Sequence, residues 1–591
     1  MWKYLSIILS IIILTVVIGV TIFWAQAFYR SVNNYQSPLS KVNLPTQELV
    51  LPQTARVVVV LISGLGYNTS QTLDWPVFRQ LAQTGANALV YSSPPSYSQT
   101  AAVTLVTGAP PELNGAPVTD NPVEALSVTD IDTIFARARV SHQRTVLLGP
   151  AEWRRLIPRN HLDETVFINA SGQEADQAIV EAALPILKSN NFDLIFINLT
   201  QLDFAAKHQG GPESNAYLQA ASRADNLLGQ INQATDTRHS VLMILSDHGY
   251  TSSGGYGGAE PEVTQQPLVI VGDSIIPGTY SDIRHTDIAP TITTLLGTAP
   301  PAAARGRILF EMFRLNEQAQ TTAQLALAQQ RVALAYAYVT RILGPEATLP
   351  VTLLTDLALA QTTFTQNNVS GALQLALLNQ ENADIQMDAI KYNRIQSEQW
   401  PRLALTLFLV ILWGIILWRR RGPHAGLIIV ATVVTIGLYH ILYQLQGYTY
   451  SISDLNNFVD LPFDVARRTA VSMLAGGGLL LVLLMLVSED DWVILLGTGY
   501  GFGVLVTLIY ALPLFWAFWQ NGLTVSWYLP AVNTVFWQVT SLFEVMIAAI
   551  LGLLLPWPIM VLNLLVNWVK RYLDKERPGR PEPDVLPGLR L

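Results

Sequence analysis

Val241-Leu-Met-Ile-Leu-Ser-Asp-His-Gly-Tyr250 runs directly into Thr251-Ser-Ser-Gly-Gly-Tyr-Gly-Gly258, and how this stretch is read decides the fold. An apolar run that stops abruptly at Ser246-Asp247-His248-Gly249, followed by a glycine-rich loop, is the pattern of a buried strand delivering polar side chains to its carboxyl end. In open α/β sheets ligands bind at that edge. The carboxylate and imidazole side by side there are good ligands for zinc or manganese. Taken alone, the same residues also read as a strand followed by a polar turn.

Working outward, Arg56-Val-Val-Val-Val-Leu-Ile-Ser-Gly-Leu-Gly66 is a second β-branched run, too apolar for a half-exposed strand and closed by a glycine turn. It reads as a central parallel strand. Helical patterns at Trp75 to Thr84, Thr100 to Thr107, Ile131 to Ala138 and Ala175 to Lys188 alternate with extended ones at Ala88 to Tyr91, Thr145 to Leu148 and Leu194 to Leu199. This alternation predicts a three-layer α/β/α domain over residues 55–310.

The chain of 591 residues is too long for one ordinary domain, and a mean hydropathy of +0.32 with 13% charged residues is too apolar for a wholly soluble protein. The absence of cysteine excludes disulfides, thiolate catalysis and Cys-ligated zinc, without fixing the compartment. A formal charge of −8 gives no support for a nucleic-acid partner, which selects a basic stripe.

Leu5 to Ala27 is long and apolar enough to cross a bilayer and reads as an uncleaved anchor occupying residues 1–30. Residues 31–54 read as a polar linker. Residues 311–400, rich in Ala, Leu and Gln, are expected to form helices packed beside the domain or a stalk above the membrane. Residues 401–569 hold the remaining candidate spans: Leu403 to Trp418, Ala425 to Tyr443, Val471 to Val487, Val493 to Phe518 and Ala531 to Pro556, about six with the anchor. Arg419, Arg420 and Arg421 after the second span, and Lys570, Arg571, Lys575 and Arg577 near the start of a tail at 570–591, are expected on the cytoplasmic side. Both termini would then lie inside and residues 28–400 outside the cytoplasm. The lipid bilayer is the implied partner, with other membrane-protein subunits a further candidate. Glu544, an ionisable residue within the last span, marks a polar contact with another helix or a functional position.

Further polar stretches fall where strands should end: Ser63-Gly64, Pro95-Ser-Tyr-Ser-Gln-Thr100 before Thr104-Leu-Val-Thr-Gly108, Asp203-Phe-Ala-Ala-Lys-His208, and Gly254-Gly-Tyr-Gly-Gly258. With Thr286-Asp-Ile-Ala-Pro-Thr291 and Gly306-Arg307, their order resembles the alkaline phosphatase superfamily, especially its type I phosphodiesterase and nucleotide pyrophosphatase branch. The resemblance implies two zinc-like ions about 4 Å apart around a phosphoryl group, with a Ser or Thr nucleophile. The nucleophile position falls on Ser98, just ahead of a helix whose N-terminus favours an anion. Ser96 is the neighbouring alternative, and a helix cap is the plain reading of Ser98.

The chain also departs from the family. Ser63 stands where the family carries a ligand Asp, Lys207 where it carries a ligand His four residues after Asp203, and Tyr256 where its glycine-rich loop presents another His. Asp203, Asp247 and His248 keep ligand character, and His208 would join them only if its loop were shifted. Ser and Tyr are poor zinc ligands and a lysine ammonium repels the ion, so this set suits at most one divalent metal, zinc or manganese. Lys207 is expected either to replace the charge of a missing ion at a phosphate or to bridge to Asp203. His285 is a candidate replacement ligand at a position the family does not use for metal, and Tyr256 is expected to be a packing or rim residue.

Three functions follow. The ligand count favours a catalytically impaired domain acting as a recognition or structural subunit. The alternatives are an active hydrolase of phosphate mono- or diesters, and a transferase moving phospho-head-groups onto envelope lipids or glycans, with the helical bundle presenting the lipid.

Overall fold

The computed structural model describes residues 2–40, 42, 52–119, 128–419, 424–455 and 461–575. At its centre is an eight-stranded sheet ordered β4-β3-β5-β1-β6-β7-β2-β8. The strands are β1 (Arg56–Ile62), β2 (Ala86–Tyr91), β3 (Thr145–Pro150), β4 (Glu164–Ile168), β5 (Leu194–Leu199), β6 (Ser240–Leu245), β7 (Gln265–Val271) and β8 (Gly278–Arg284).

β1 runs parallel to both β5 and β6, with Val57 opposite Val241 and Leu61 opposite Leu245. Every residue of β1, β5 and β6 is buried, as continuous apolar strands require when both sheet faces are covered. Alternate side chains serve different layers. Val57, Val59, Leu61, Val241 and Met243 pack against the Ser98–Thr107 and Ile288–Leu296 helices. Val58, Val60, Ile62, Leu242 and Ile244 pack against the Pro76–Thr84, Gly172–Lys188 and Asn215–Ala234 helices. Truncating one such side chain, as in Met243→Ala, is expected to cost about 2–5 kcal/mol.

The sheet is mixed. β7 is antiparallel to both β6 and β2, although Gln265-Gln-Pro-Leu-Val-Ile-Val271 carries no signal of direction. The helix expected over Ile131 to Ala138 begins at Ile134, because the Thr133 side chain accepts from Ala136 N and caps it there.

The Glu317–Leu343, Thr352–Thr365 and Val369–Arg419 helices follow. They buttress the domain: Arg331 Nη2 donates to Gly306 O at 2.8 Å, and Arg305 pairs with Asp384 and Asp388 at 3.0 Å. The Val369–Arg419 helix runs unbroken through Pro401, so the boundary expected at residue 400 falls inside one helix.

Among the described residues six helices are long and apolar enough to cross a membrane, and the chain is a multi-pass membrane protein. The last candidate extends beyond the expected end at Pro556, continuing as the Pro556–Lys575 helix. Asn563 and Asn567 donate to Glu489 O, Arg571 pairs with Asp490, and His424 Nε2 lies 3.0 Å from Glu489. The acidic turn and the basic helix therefore share one end of the bundle. Arg420, Arg421 and Arg577 lie outside the described residues.

Candidate active site

The parallel register of β1 and β6 brings Ser63 and Ser246-Asp247-His248 to one sheet edge. Asp247 Oδ1 accepts from Gly64 N at 3.1 Å and from His248 N at 2.9 Å, and Ser246 Oγ accepts from Leu65 N at 3.0 Å. These bonds staple the two strand ends together. Gly64 sits at φ +84°, and a Cβ there would lie 2.9 Å from the Tyr250 ring and 3.0 Å from the Asp203 backbone. Only glycine fits that turn without displacing both.

Ser98 is the first residue of its helix rather than the cap, which is Tyr97. Its Oγ lies 2.8 Å from His248 Nε2 and 3.4 Å from Asp203 Oδ1, and receives Lys207 Nζ at 3.2 Å. Lys207 also bridges to Asp203 Oδ2 at 3.1 Å, so the two roles expected of it coexist. His248 is buried, and its Nδ1 is 3.1 Å from Gly249 O. Nε2 lies 3.3 Å from Asp203 Oδ1 as well, so both ring nitrogens face acceptors: the neutral ring protonated on Nδ1 presents its Nε2 lone pair to Ser98, and the protonated ring donates to Asp203.

Burial alone would raise the Asp203 pKa, but the Lys207 charge, together with His248 and the Tyr250 hydroxyl, holds it well below the carboxylate range. Burial alone would likewise lower that of His248, and the charges and hydrogen bonds of Asp247 and Asp203 outweigh it and hold the imidazole above its ordinary value.

Several expectations change. His208 is exposed and packs its ring on Phe204 at 4.9 Å, away from the site. Asp203 and Lys207, four residues apart, share a helix face, and the next residue is turned about 100° away. Ser96 Oγ bonds to Gly258 O at 3.3 Å, outside the Ser98 cluster. Ser63 Oγ receives Asn198 Nδ2 at 3.0 Å. Of the two places expected for Tyr256, packing is the one it takes: it is buried, stacks on His248 at 4.9 Å and lies beneath Lys207 Nζ at 4.5 Å from its ring centre. His285 is buried, and burial pushes it down to about 3 and keeps it neutral. Tyr250, whose hydroxyl donates to Asp203 Oδ1 at 2.5 Å, joins the site unannounced by the sequence, because nothing there marks which neighbouring aromatic turns toward the carboxylate.

Metal fit follows from how these donors are engaged. Lys207 and Tyr250 occupy Asp203, two backbone amides occupy Asp247 Oδ1, and an ammonium and a tyrosine ring stand in the position of further ligands. Among the described residues, no group of three or more His, Asp or Glu side chains could hold a metal ion. The arrangement does not fit a two-ion centre. It does supply a hydroxyl between a base and a cation, the parts needed for nucleophilic attack on an electrophilic phosphorus.

A metalloenzyme superfamily model matches residues 161–299, and a type I phosphodiesterase / nucleotide pyrophosphatase model matches residues 57–121. The first of these families implies metal dependence. Human GPI ethanolamine phosphate transferase 2, catalytic subunit, is 25% identical over 282 residues, 44% of this chain and 28% of that protein. Human GPI ethanolamine phosphate transferase 3, catalytic subunit, is 24% identical over 206 residues, 34% of this chain and 19% of that protein. The matched region thus spans less than a third of these relatives' lengths. The structure of human ectonucleotide pyrophosphatase / phosphodiesterase 5 is similar at 12% identity and TM-score 0.34, covering 41% of this chain and 95% of that one. The mixed sheet, the motif order along its edge and the two family models together identify the α/β domain of this membrane protein as one with the alkaline-phosphatase-like fold.

Proposed function

We propose that this chain is a membrane phosphotransferase that moves a phospho-head-group from a lipid donor to a lipid or glycan acceptor through a phosphoseryl intermediate on Ser98. One observation carries the reading: Ser98 Oγ sits 2.8 Å from His248 Nε2 and 3.2 Å from Lys207 Nζ. Two further facts support a lipid-borne substrate. The relatives named above are GPI ethanolamine phosphate transferases. The glycine-rich site loop also touches the membrane bundle directly, through Gly258 N donating to Ser453 Oγ at 3.0 Å.

In the first half-reaction His248 Nε2 takes the Ser98 proton as Oγ attacks phosphorus. The Oγ–P bond forms and the bond to the lipid alkoxide breaks in line on the side away from His248; the leaving oxygen takes a proton from solvent while His248 keeps the one from Ser98. In the second half-reaction an acceptor hydroxyl loses its proton to solvent and attacks phosphorus from the side opposite Oγ, where the first alkoxide left. The P–Oγ bond breaks and the proton returns to Ser98. Lys207 supplies positive charge to the phosphoryl oxygens and to Ser98 Oγ, and the helix N-terminus at Ser98 adds unpaired N–H groups. Asp203 holds Lys207, and Asp247 holds His248.

The basic residues that flank the spans, Lys570 and Arg571 among them, support a site outside the cytoplasm. The transferase reading is preferred to the impaired-subunit one, which rests on ligand count alone, because Lys207, one of the residues standing at a ligand position, brings a cation to the Ser98 and His248 pair.

The test is full-length protein in liposomes with a fluorescent diacyl phosphatidylethanolamine. Labelled diacylglycerol should appear, Ser98→Ala should cut its rate on the order of 10³-fold or more, and mass spectrometry should find the phospho-head-group on Ser98. Turnover that survives Ser98→Ala would sink the assignment. Absence of turnover with every metal tested would restore the impaired-subunit reading.

A further inference from the structure

The half of the bundle nearest the α/β domain contains buried polar atoms with no hydrogen-bond partner among the described residues: Arg468 Nε, Ser472 Oγ, Tyr510 Oη, Gln538 Oε1 and Ser541 Oγ. All five residues are buried, on the Leu461–Val487, Trp492–Asn521 and Val532–Leu554 helices. An unsatisfied hydroxyl in a membrane interior is costly, and a buried cation more so.

Arg468 is the focus. Its Nη1 donates to Gln446 Oε1 at 2.6 Å, its guanidinium lies 4.9 Å and 5.2 Å from the Tyr443 and Tyr448 ring centres, and Asp464 Oδ2 is 3.7 Å away, beyond hydrogen-bond reach. The charge is buried with a free donor and no tightly bound carboxylate. Glu544, deeper in the bundle, meets the Tyr439 hydroxyl and lies within electrostatic range of both Arg468 and Tyr510.

Depth orders these groups. At 1.5 Å per residue, Arg468 lies about 10 Å along its helix from Leu461 and Ser472 about 16 Å, while Ser541 lies about 14 Å from Val532 and Tyr510 about 16 Å from Asn521. A cation above a set of hydroxyl donors matches a glycerophospholipid, whose phosphate sits above its ester carbonyls.

The roof is shared with the active site. Tyr450 stacks on Tyr443 at 4.3 Å and on Trp537 at 5.6 Å below it. Just beyond in the same segment, Ser453 accepts from Gly258 N and donates to Glu260 Oε2 at 2.8 Å above.

We propose that Arg468, Ser472, Tyr510 and Ser541 form a phospholipid-holding site within the bundle, beneath the loop that carries Ser453 to the active site. Arg468 Nε takes the phosphate and the hydroxyls take the ester carbonyls. The inference rests on the lipid-transfer reading for its purpose, but its test does not.

Full-length Ser98→Ala protein in a non-ionic detergent removes turnover from the measurement. It should bind dioctanoyl phosphatidylethanolamine saturably. Adding Arg468→Gln should weaken binding at least tenfold, and adding Ser541→Val, which removes a donor without touching charge, at least threefold. Should Arg468→Gln fail to fold, Ser541→Val and Tyr510→Phe read the same site. Inorganic phosphate should compete poorly, because it lacks the carbonyls, and dioctanoylglycerol should bind poorly, because it lacks the phosphate. Unchanged binding in the variants, equal competition by inorganic phosphate, or equal binding of dioctanoylglycerol would overturn the proposal. A transferase assay that failed while this binding held would strike only the catalytic reading.

Discussion

Lys207 Nζ lies 3.1 Å from Asp203 Oδ2, one helical turn back on the same face, and the same ammonium reaches Ser98 Oγ at 3.2 Å. One cation thus neutralises the half-buried carboxylate and faces the nucleophile. Replacing it by Met removes both effects while keeping most of the side-chain volume. Lys207→Met is expected to lower kcat/KM about 10²–10³-fold, the range for removing one preorganised electrostatic contact. Lys207→Arg should not restore it, since a planar fork cannot reproduce a point charge over the Tyr256 ring. Steady-state kinetics of head-group release check both; an active Lys207→Met variant would show that the ammonium is structural.

His248 has to be neutral to accept the Ser98 proton, yet its neighbours hold it above its ordinary value near 6.5. The rate should therefore rise with pH on a limb whose midpoint lies above 6.5. His248→Gln should abolish that limb along with most of the activity. A flat profile across pH 6 to 9 would remove His248 as the base.

His285 is neutral in the fold, pushed down to about 3, whereas in the unfolded chain it titrates near 6.5. Between those values the unfolded state binds the extra proton, so stability falls as pH drops from about 6.5 toward 3. His285→Phe should flatten that limb in urea melts at pH 4 and 5, relative to pH 7.5. Asp203 acts in a lower window: its depressed pKa contributes stability that is lost only as pH falls below about 4. An unchanged limb in the variant would show that His285 does not couple to folding.

Gly255 faces the membrane loop at close range, where a Cβ would lie 2.3 Å from Ser453 O. Backbone cannot yield as a flexible side chain would. Gly255→Ala should push the site loop off the bundle, lowering head-group transfer at least tenfold while thermal unfolding of the protein moves by only a few degrees. Transfer at the parental rate would show that this contact does not position the site.

The ligand positions taken by Ser63, Lys207 and Tyr256 can be converted. Ser63→Asp, Lys207→His and Tyr256→His together replace a hydroxyl, a cation and a phenol by ligand types suited to zinc. Calorimetric titration should show zinc binding at least tenfold tighter than in the parent chain. Equal affinity would mean that Asp203, Asp247 and His248 already suffice to hold the ion.

The central strands were legible because burial on both sheet faces demands continuous apolar runs, and Val57–Ile62 and Val241–Leu245 admit hardly any other reading. Residue chemistry was legible too: serine, lysine and tyrosine at three ligand positions argue against a two-metal centre whatever their geometry. The membrane spans followed from length and apolarity alone. Direction and facing were decided by tertiary structure. That β7 runs antiparallel depends on which neighbours it pairs with, which its composition does not encode. His208 lost its place and Lys207 kept it because a helix turns 100° per residue, and only the packed helix shows which face meets Ser98. Tyr256 and Tyr250 became part of the site through burial against His248 and Asp203, and Ser453 came to touch the glycine-rich loop across a separation of 195 residues. Local pattern reports how much of a residue is covered; what covers it is set by chain segments far away in sequence.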